Sequence, residues 1–356
     1  MAHARIAGFL IPMCVVLIAA VLHGSDSSSY ASEQSSAKVE RLDPAANNII
    51  PDGAALQKLV TGFTWTEGPI WIHEGYLLFS DIPSNSIRKL PFPGTASIFL
   101  QPSGYLGSTP FGGPESGSNG LTLDVRARLT VAGHAQRDVY RIESLSDPGH
   151  TTILADTFEG KRLNSPNDLV YKSDGSLYFT DPPYGLVTQK DSDPAKELKV
   201  NGVYRIPGAL EHKPGAPPQR DKLQLLVKDL TRPNGIVFSP DEKYLYVSNS
   251  EPQKIWMRYV VQADGTLGDG KLFYDATSDA REGLPDGIKV DKAGNLYGAG
   301  PGGLWIFSPP GKHIATILTP EKVSNLNWGG SDGKSLFITA STSVYRIDLK
   351  ISGIYP

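Results

Sequence analysis

Five side chains with oxygen donors recur along the chain at intervals of 48 to 67 residues. Each stands before glycine, or in one case aspartate, and a short hydrophobic stretch follows: Glu67, Asn119, Asn167, Asn234 and Asp286. Carboxylate and amide oxygens are the ligands that hard cations such as Ca²⁺ prefer, and two acids balance a divalent charge. If these side chains converge, they form a cation site that leaves coordination positions for water or a substrate oxygen.

The same dipeptides have a simpler explanation. Asn-Gly and Asp-Gly are common turn formers, so any one of these pairs alone fits a turn. Five pairs in the same register before a strand favour convergence. Several polar side chains in a narrow channel would be unfavourable without a partner, and a bound cation would provide one.

The elements around these residues repeat. Each polar phrase is followed by a turn and a second strand, as in Ser173–Ser176 and Leu177–Thr180, and a weaker sixth copy begins at Asn325. Four-stranded units that recur at this spacing are typical of a β-propeller. The sixth copy ends after its third strand, near Ile347, while Ala55–Phe63 offers an unused strand. We therefore predict an all-β, six-bladed β-propeller with four-stranded blades, closed by an N-terminal strand that joins the last blade.

Two stretches exceed the blade rhythm, Leu100–Gly117 and Asp181–Asn201. Long loops on a rigid scaffold often form substrate walls. We expect the second to contribute Asp181 and Tyr184 to such a wall. The simpler role for Asp181 is to cap its own Pro-Pro turn.

The N-terminal residues have the features of a secretory signal. Arg5 precedes the uncharged, mostly apolar run Ile6–Leu22, and Ser29–Ala31 is a small-x-small cleavage pattern. We expect a signal peptide, or an uncleaved anchor, at 1–31, a polar spacer at 32–50 and the propeller at 51–356. The protein would then be exported, to the periplasm or the exterior. The single cysteine, Cys14, lies in the apolar run, so a disulfide framework or a thiolate nucleophile is excluded from the mature chain.

Charge limits the range of partners. The formal net charge is −3 and no run of Lys or Arg stands out, which disfavours nucleic acid. The expected partner is a small molecule, with no membrane contact beyond the possible N-terminal anchor. No pattern specifies an oligomeric state.

Four of the repeated phrases resemble the metal-binding phrases of the senescence-marker-protein/gluconolactonase (regucalcin-like) family: Glu67–Trp71, Asn167-Asp168, Pro233–Gly235 and Pro285–Gly287. The stretches Leu163–Asp168 and Thr180–Gly185 are most similar to bacterial gluconolactonases. The resemblance implies a six-bladed propeller that hydrolyses a sugar lactone with one divalent cation. Calcium is the first expectation, with zinc, manganese and magnesium as alternatives.

The resemblance also implies roles for individual residues. Glu67, Asn234 and Asp286 match metal ligands, and Asn167 matches a residue that contacts the metal or the substrate. Asp286 also matches the proton donor and acceptor. Asp168 is a second candidate base, with orientation of Asn167 as its simpler role. The expected substrate contacts are Asn119, His134, Asn167, Asp181 and Tyr184, although a histidine such as His134 is more often a core or surface residue.

One position departs from the family pattern. Regucalcin-like members place a substrate-binding arginine two residues before the Asn167 position, where this chain has Ser165. Arg162 and Arg232 are candidate substitutes.

The expected chemistry is simple. A cation polarises the lactone carbonyl, and a carboxylate takes a proton from water and returns it to the ring oxygen. Two alternatives are a non-catalytic ligand-binding propeller with a structural cation and an interaction propeller of the WD or kelch kind. The absence of Trp-Asp at the blade ends disfavours the latter.

Overall fold

Each polar phrase leads into a short inner strand, which is the first strand of an antiparallel sheet. The computed structural model describes residues 1–2 and 30–354, and six such sheets form the blades of a β-propeller. The helices within these residues are three short 3₁₀ turns. The predicted all-β, six-bladed fold is confirmed.

The segment ahead of the first blade is itself structured. It contains β1 (Tyr30–Ser36), β2 (Lys38–Arg41), a 3₁₀ helix (Pro44–Asn48) and β3 (Ala55–Thr61).

The first three blades follow in chain order. Blade one consists of β4 (Thr66–Ile72), β5 (Tyr76–Asp81), β6 (Ser86–Pro91) and β7 (Ser97–Leu100). Blade two consists of β8 (Leu121–Leu123), β9 (Leu129–Gly133), β10 (Asp138–Ser144) and β11 (Asp147–Ala155). A small hairpin then joins β12 (Thr157–Phe158) and β13 (Lys161–Arg162). Blade three consists of β14 (Leu169–Tyr171), β15 (Leu177–Asp181), β16 (Gly202–Ile206) and β17 (Gln224–Val227).

The remaining blades complete the ring. Two 3₁₀ turns, Ala209–Glu211 and Arg220–Lys222, precede β17. Blade four consists of β18 (Pro233–Phe238), β19 (Tyr244–Asn249), β20 (Ile255–Val261) and β21 (Leu267–Asp275). Blade five contains β22 (Ile288–Val290), β23 (Leu296–Gly300), β24 (Gly303–Phe307) and β25 (His313–Leu318). Blade six contains β26 (Val323–Gly329), β27 (Ser335–Ala340) and β28 (Ser343–Asp348).

The N-terminal strand closes the ring as expected. β3 pairs antiparallel with β28, with Val60 opposite Val344 and Gln57 opposite Arg346, and becomes the fourth strand of blade six. The third strand of the last repeat therefore gains its outer neighbour from the start of the chain.

The segment 32–50, expected to be a polar spacer, is part of the propeller. β1 adds a fifth strand to blade six by pairing with β3, and β2 adds a fifth strand to blade five, with Val39 opposite Ile317. Ala46, Ile49 and Ile50 are buried in the core between these blades. The polar composition is misleading, because a strand at a sheet edge keeps polar side chains on its solvent face while its backbone completes the ladder.

The expected signal segment, with its apolar run and Cys14, lies almost entirely in residues 3–29, outside the described residues. Among the helices of the described part of the chain, none is both long and apolar enough to span a membrane.

Aromatic side chains fill the space between neighbouring blades. Trp71 of β4 stacks on Phe337 of β27 with ring centroids 5.1 Å apart. Tyr178 of β15 meets Phe238 of β18 edge to face at 4.9 Å. Such pairs add to the area that each blade buries against the next, so the blades hold the inner strands in fixed positions around the central channel.

Candidate functional site

The polar phrases touch one another around the channel. The Gly120 amide donates a hydrogen bond of 2.7 Å to the carbonyl of Asn167 in the next blade. A Cβ atom at Gly120 would lie 2.5 Å from that same oxygen, and one at Gly235 would lie 2.3 Å from the carbonyl oxygen of Asp286. Glycine is therefore required because the neighbouring backbone passes where a side chain would begin. The Asn-Gly pairs are contacts between blades as well as turns.

Hydroxyl groups on the second strands fix the same backbone from the side. Each donates to the carbonyl of a polar residue in the next blade: Ser80 to Asn119 at 2.7 Å, Thr180 to Asn234 at 2.6 Å and Ser248 to Asp286 at 2.7 Å. The side chains of the phrases are thus carried by a rigid ring of backbone.

The five repeated polar residues line a single cavity of about 150 Å³ at one end of the channel: Glu67, Asn119, Asn167, Asn234 and Asp286. The expected wall residue Tyr184 lines it too. The other lining residues are Trp65, Glu115, Ser250, Glu251 and Leu284. The convergence predicted from the repeat therefore exists.

The buried carboxylates of this cavity would repel one another if all of them were ionised without a positive partner. Glu67 is buried and its Oε2 accepts a hydrogen bond of 2.8 Å from the Gly68 amide. Burial, with the nearby Asp168 and Glu115 carboxylates, raises the pKa of Glu67 above its usual value. Burial and the charges of Glu67, Asp168 and Glu115 raise the pKa of Asp286 well above its usual value. The cavity favours protons or a cation as partners for these groups.

The amide side chains supply further oxygen atoms. Oδ1 of Asn119 is buried and has no hydrogen-bond partner among the described residues. Nδ2 of Asn234 donates to Oγ of Ser250 at 3.1 Å, and Ser250 donates to the Pro285 carbonyl at 2.7 Å. This fixes the nitrogen end of the Asn234 amide and leaves Oδ1 for another partner.

The donor set suits a hard cation only if the amides take part. In residues 1–2 and 30–354, no three Asp, Glu, His or Cys side chains are arranged to bind a metal. Two carboxylates, Glu67 and Asp286, with the amide oxygens of Asn167 and Asn234, make the kind of all-oxygen set that calcium accepts.

Asp168 does not line the cavity. Its Oδ1 accepts a hydrogen bond of 2.9 Å from the Leu169 amide, and its Oδ2 lies 3.5 Å from Nζ of Lys289. This position fits the simpler role suggested by the sequence, in which Asp168 orients the backbone next to Asn167.

Asp181, expected in the substrate wall, is fully buried in the scaffold. Its carboxylate accepts hydrogen bonds from the amides of Asn164, at 2.8 Å, and Ser165, at 2.7 Å. Equivalent residues at the ends of β5 and β19 make the same kind of contact: Asp81 accepts from the Thr64 and Trp65 amides, and Asn249 accepts from the Arg232 amide. Asp181 is therefore one of a repeated set that holds the loop before an inner strand.

His134 lies one contact away from the cavity. It is completely buried, and its Nε2 lies 2.8 Å from Oε2 of Glu115, which does line the cavity. His134 was expected to contact substrate, but it lies behind the cavity wall, and the side chain that faces the cavity is Glu115.

Tyr184 presents an unused donor to the cavity. Its hydroxyl is buried near Ser250 but makes no hydrogen bond of normal geometry among the described residues, and burial raises the pKa of the phenol. The group therefore stays protonated and can donate to an oxygen of a bound molecule.

The two arginines considered as replacements for the family's substrate-binding arginine make contacts outside the cavity. Arg162 donates to the Gln136 carbonyl at 2.6 Å, and Arg232 forms an ion pair of 2.7 Å with Asp191. Ser165 donates to the Pro182 carbonyl. Residues 162, 165 and 232 are not among those that line the cavity.

Comparisons with known proteins agree with this architecture. The family profile of the SMP-30/Gluconolactonase/LRE-like region matches residues 65–342. A gluconolactonase of Zymomonas mobilis is 34% identical over 359 residues, covering 98% of this chain and 96% of the relative. The solved gluconolactonase of Xanthomonas campestris is 30% identical with a TM-score of 0.72, covering 92% of this chain and 99% of that one. Regucalcin of Agrobacterium tumefaciens, a calcium-binding protein, shares the fold at 18% identity with a TM-score of 0.61, covering 83% of this chain and 93% of that one.

Proposed function

Because the chain belongs to the SMP-30/gluconolactonase/LRE-like family and is a lactonase, we propose that it opens a sugar lactone such as gluconolactone with the help of a divalent cation in the central cavity. One observation carries this proposal. Four oxygen-bearing side chains from four different blades line the same small cavity: Glu67, Asn167, Asn234 and Asp286.

These four residues would hold the cation. The raised pKa values of Glu67 and Asp286 support a positive partner, and the unpartnered Oδ1 of Asn119 supports a further polar contact in the same space. Calcium fits an all-oxygen set best, while zinc, manganese and magnesium are the alternatives to test. A bound divalent cation supplies a Lewis acid that stabilises negative charge on a carbonyl oxygen.

The other lining residues would bind and orient the lactone. Tyr184 donates its free hydroxyl hydrogen to a substrate oxygen, and Asn119 offers Oδ1 to a substrate hydroxyl. Trp65 and Leu284 provide the apolar part of the wall. A polyhydroxylated ring matches this mixture of donors, acceptors and apolar surface.

Hydrolysis also needs a group that moves a proton from water to the ring oxygen. Asp286 and Asp168 are the candidates indicated by the sequence. Asp286 lines the cavity, whereas Asp168 is turned towards Leu169 and Lys289. The geometry favours a carboxylate of the lining for this step.

The test combines two variants with metal replacement. The purified protein is stripped with a chelator and assayed on a lactone panel with calcium, zinc, manganese or magnesium. We expect turnover to need a metal, and Asp286→Ala and Glu67→Gln to lose turnover and metal binding together. Glu74→Gln, in the exposed turn between β4 and β5, is the matched control. Full turnover by the chelated protein or by Asp286→Ala would contradict the proposal.

The apolar run at residues 6–22 supports a location outside the cytoplasm for this lactonase. Cell fractionation with an activity assay checks it, since activity confined to the cytoplasm would contradict export.

A further inference from the structure

Two cavity-lining carboxylates lie outside the repeated polar phrases, Glu251 and Glu115. Glu251 lies in the short loop after β19 with its side chain 52% exposed, whereas Glu115 lies in a longer loop. This loop lies between β7 and β8, and the side chain of Glu115 is 22% exposed. Its charge acts on two of the proposed ligands, because it contributes to the raised pKa values of Glu67 and Asp286. Yet Glu67, Glu115 and Asp286 do not form a three-acid metal group among the described residues. Glu115 lines the cavity and lies outside the four residues proposed to hold the cation.

Two partly buried contacts hold the Glu115 carboxylate in place. Oε1 accepts a hydrogen bond of 2.8 Å from Nε2 of Gln189, in the loop between β15 and β16. Oε2 lies 2.8 Å from Nε2 of His134. The two long loops thus meet at this carboxylate. Each carboxylate oxygen has a second lone pair, so both keep an acceptor position.

Two contacts, one at each ring nitrogen, hold the imidazole of His134 in position. Nδ1 lies 3.0 Å from the carbonyl oxygen of Pro166, which can only accept, so Nδ1 carries a hydrogen. Nε2, on the other side of the same ring, faces Oε2 of Glu115. Pro166 directly precedes Asn167, so the same histidine ties Glu115 to the ligand ring.

Four carboxylates around the channel can each be assigned a partner for their charge. Glu67 and Asp286 match the charge of one divalent cation, and Asp168 is paired with Lys289. Oε2 of Glu115 lies 2.8 Å from Nε2 of His134. Glu251 also lines the cavity, but it is 52% exposed and lies 4.0 Å from Nε of Arg232. Of the two lining carboxylates not assigned to the cation, Glu115 is the less exposed, and both of its oxygens are held by side-chain contacts.

We propose that Glu115 is the catalytic proton carrier of the lactonase, with His134 as its positioning residue; this rests on the proposed function. Glu115 takes a proton from water as the water oxygen bonds to the lactone carbonyl carbon. The bond between that carbon and the ring oxygen then breaks, and Glu115 returns the proton to the ring oxygen. The products are a hydroxyl group and a carboxylic acid, which releases its proton to solvent.

The experiment compares Glu115→Gln with wild type for turnover and for calcium binding by titration calorimetry. We expect Glu115→Gln to lose on the order of 10²–10⁴-fold in kcat, the range for general acid–base catalysis, with calcium affinity unchanged. Glu115→Ala should regain activity with added formate. His134→Ala should lower kcat more than it raises KM, and Glu74→Gln should match wild type in every measurement.

Each outcome has a defined meaning. An active wild type with a fully active Glu115→Gln overturns this inference and leaves the proposed function standing. Loss of calcium binding in Glu115→Gln makes the residue a ligand and also overturns the inference. A wild type inactive on every lactone with every metal overturns both. Low activity with intact calcium binding and formate rescue supports the proton-carrier role, because a merely structural residue would not be rescued.

Discussion

Nζ of Lys289 lies 3.5 Å from Oδ2 of Asp168, although blade four separates their strands around the ring. The two side chains are 14% and 2% exposed and meet through the central channel. Asp168 Oδ2 has no hydrogen-bond partner among the described residues, so the lysine is its main source of compensation.

Removing one member of this pair should lower the free energy of unfolding strongly only while the other member is present. We expect Lys289→Met to lower the free energy of unfolding by about 3–5 kcal/mol, since it strands a buried charge. In an Asp168→Asn background the same change should cost much less. Denaturant unfolding of the four proteins of this cycle measures the difference. Equal costs in both backgrounds would show that the pair is not coupled.

A cation that binds only the folded cavity should stabilise the protein by mass action. At a calcium concentration 100 times Kd, we expect about 2.7 kcal/mol of added stability. Glu67→Gln should abolish the increase, because it removes a proposed ligand. Thermal unfolding with calcium and with chelator measures the effect, with Glu74→Gln as control. A Glu67→Gln protein that still gains the full increment would place the cation elsewhere.

At Gly235 the backbone of blade five comes close to that of blade four. Gly235→Ala places a methyl group 2.3 Å from the Asp286 carbonyl oxygen, so one of the two backbones must move. We expect a loss of about 1–3 kcal/mol in stability and roughly 10- to 100-fold weaker calcium binding, as for other changes behind a ligand.

The matched control for this change is Gly149→Ala. Gly149 is exposed in β11, and its nearest atom would be Asp147 Oδ1 at 3.8 Å. Unfolding and calcium titration of both variants check the prediction. Wild-type calcium affinity in Gly235→Ala would contradict the coupling between the blade contact and the site.

Asp138, which does not line the cavity, should make the free energy of unfolding depend on pH. Burial, together with the charge of Asp156, raises the pKa of Asp138 to about 7. The folded state therefore holds this proton more tightly than the unfolded state. The stability that depends on it is complete below the unfolded pKa of 3.8 and is lost as pH rises through 7.

Asp138→Asn should remove this slope, worth about 1.4 kcal/mol for each pH unit between those limits. Unfolding by denaturant at pH 5, 6 and 7 measures it, and Asp221→Asn, at an exposed position, is the control. An unchanged slope in Asp138→Asn would assign the pH dependence to other groups.

The repeat explains why so much of the cavity was predictable. A fixed position within each blade maps onto a fixed position at the axis, so Glu67 and Asp286 meet although they are far apart in sequence. The same logic could have identified Asp181, whose counterparts Asp81 and Asn249 end the same strand in other blades. Comparison of equivalent positions indicates a shared structural role.

The repeat does not predict residues and strands that lie outside the blade pattern. Glu115 lies in a loop outside the blade rhythm, and its one signal is that it is the only charged residue of Leu100–Gly117. The composition of β1 and β2 predicts a spacer, because edge strands need few apolar residues. Their pairing depends on backbone groups of blades five and six, which no local pattern reveals.

The pairing of β3 with β28 also sets an order of events during synthesis. Val60 pairs with Val344, so the sixth sheet cannot be completed until β28 has left the ribosome. Until then β3 presents an unpaired edge, a surface prone to association with other chains. Slow translation would lengthen this exposure, and a folding helper that shields the first strand would shorten it.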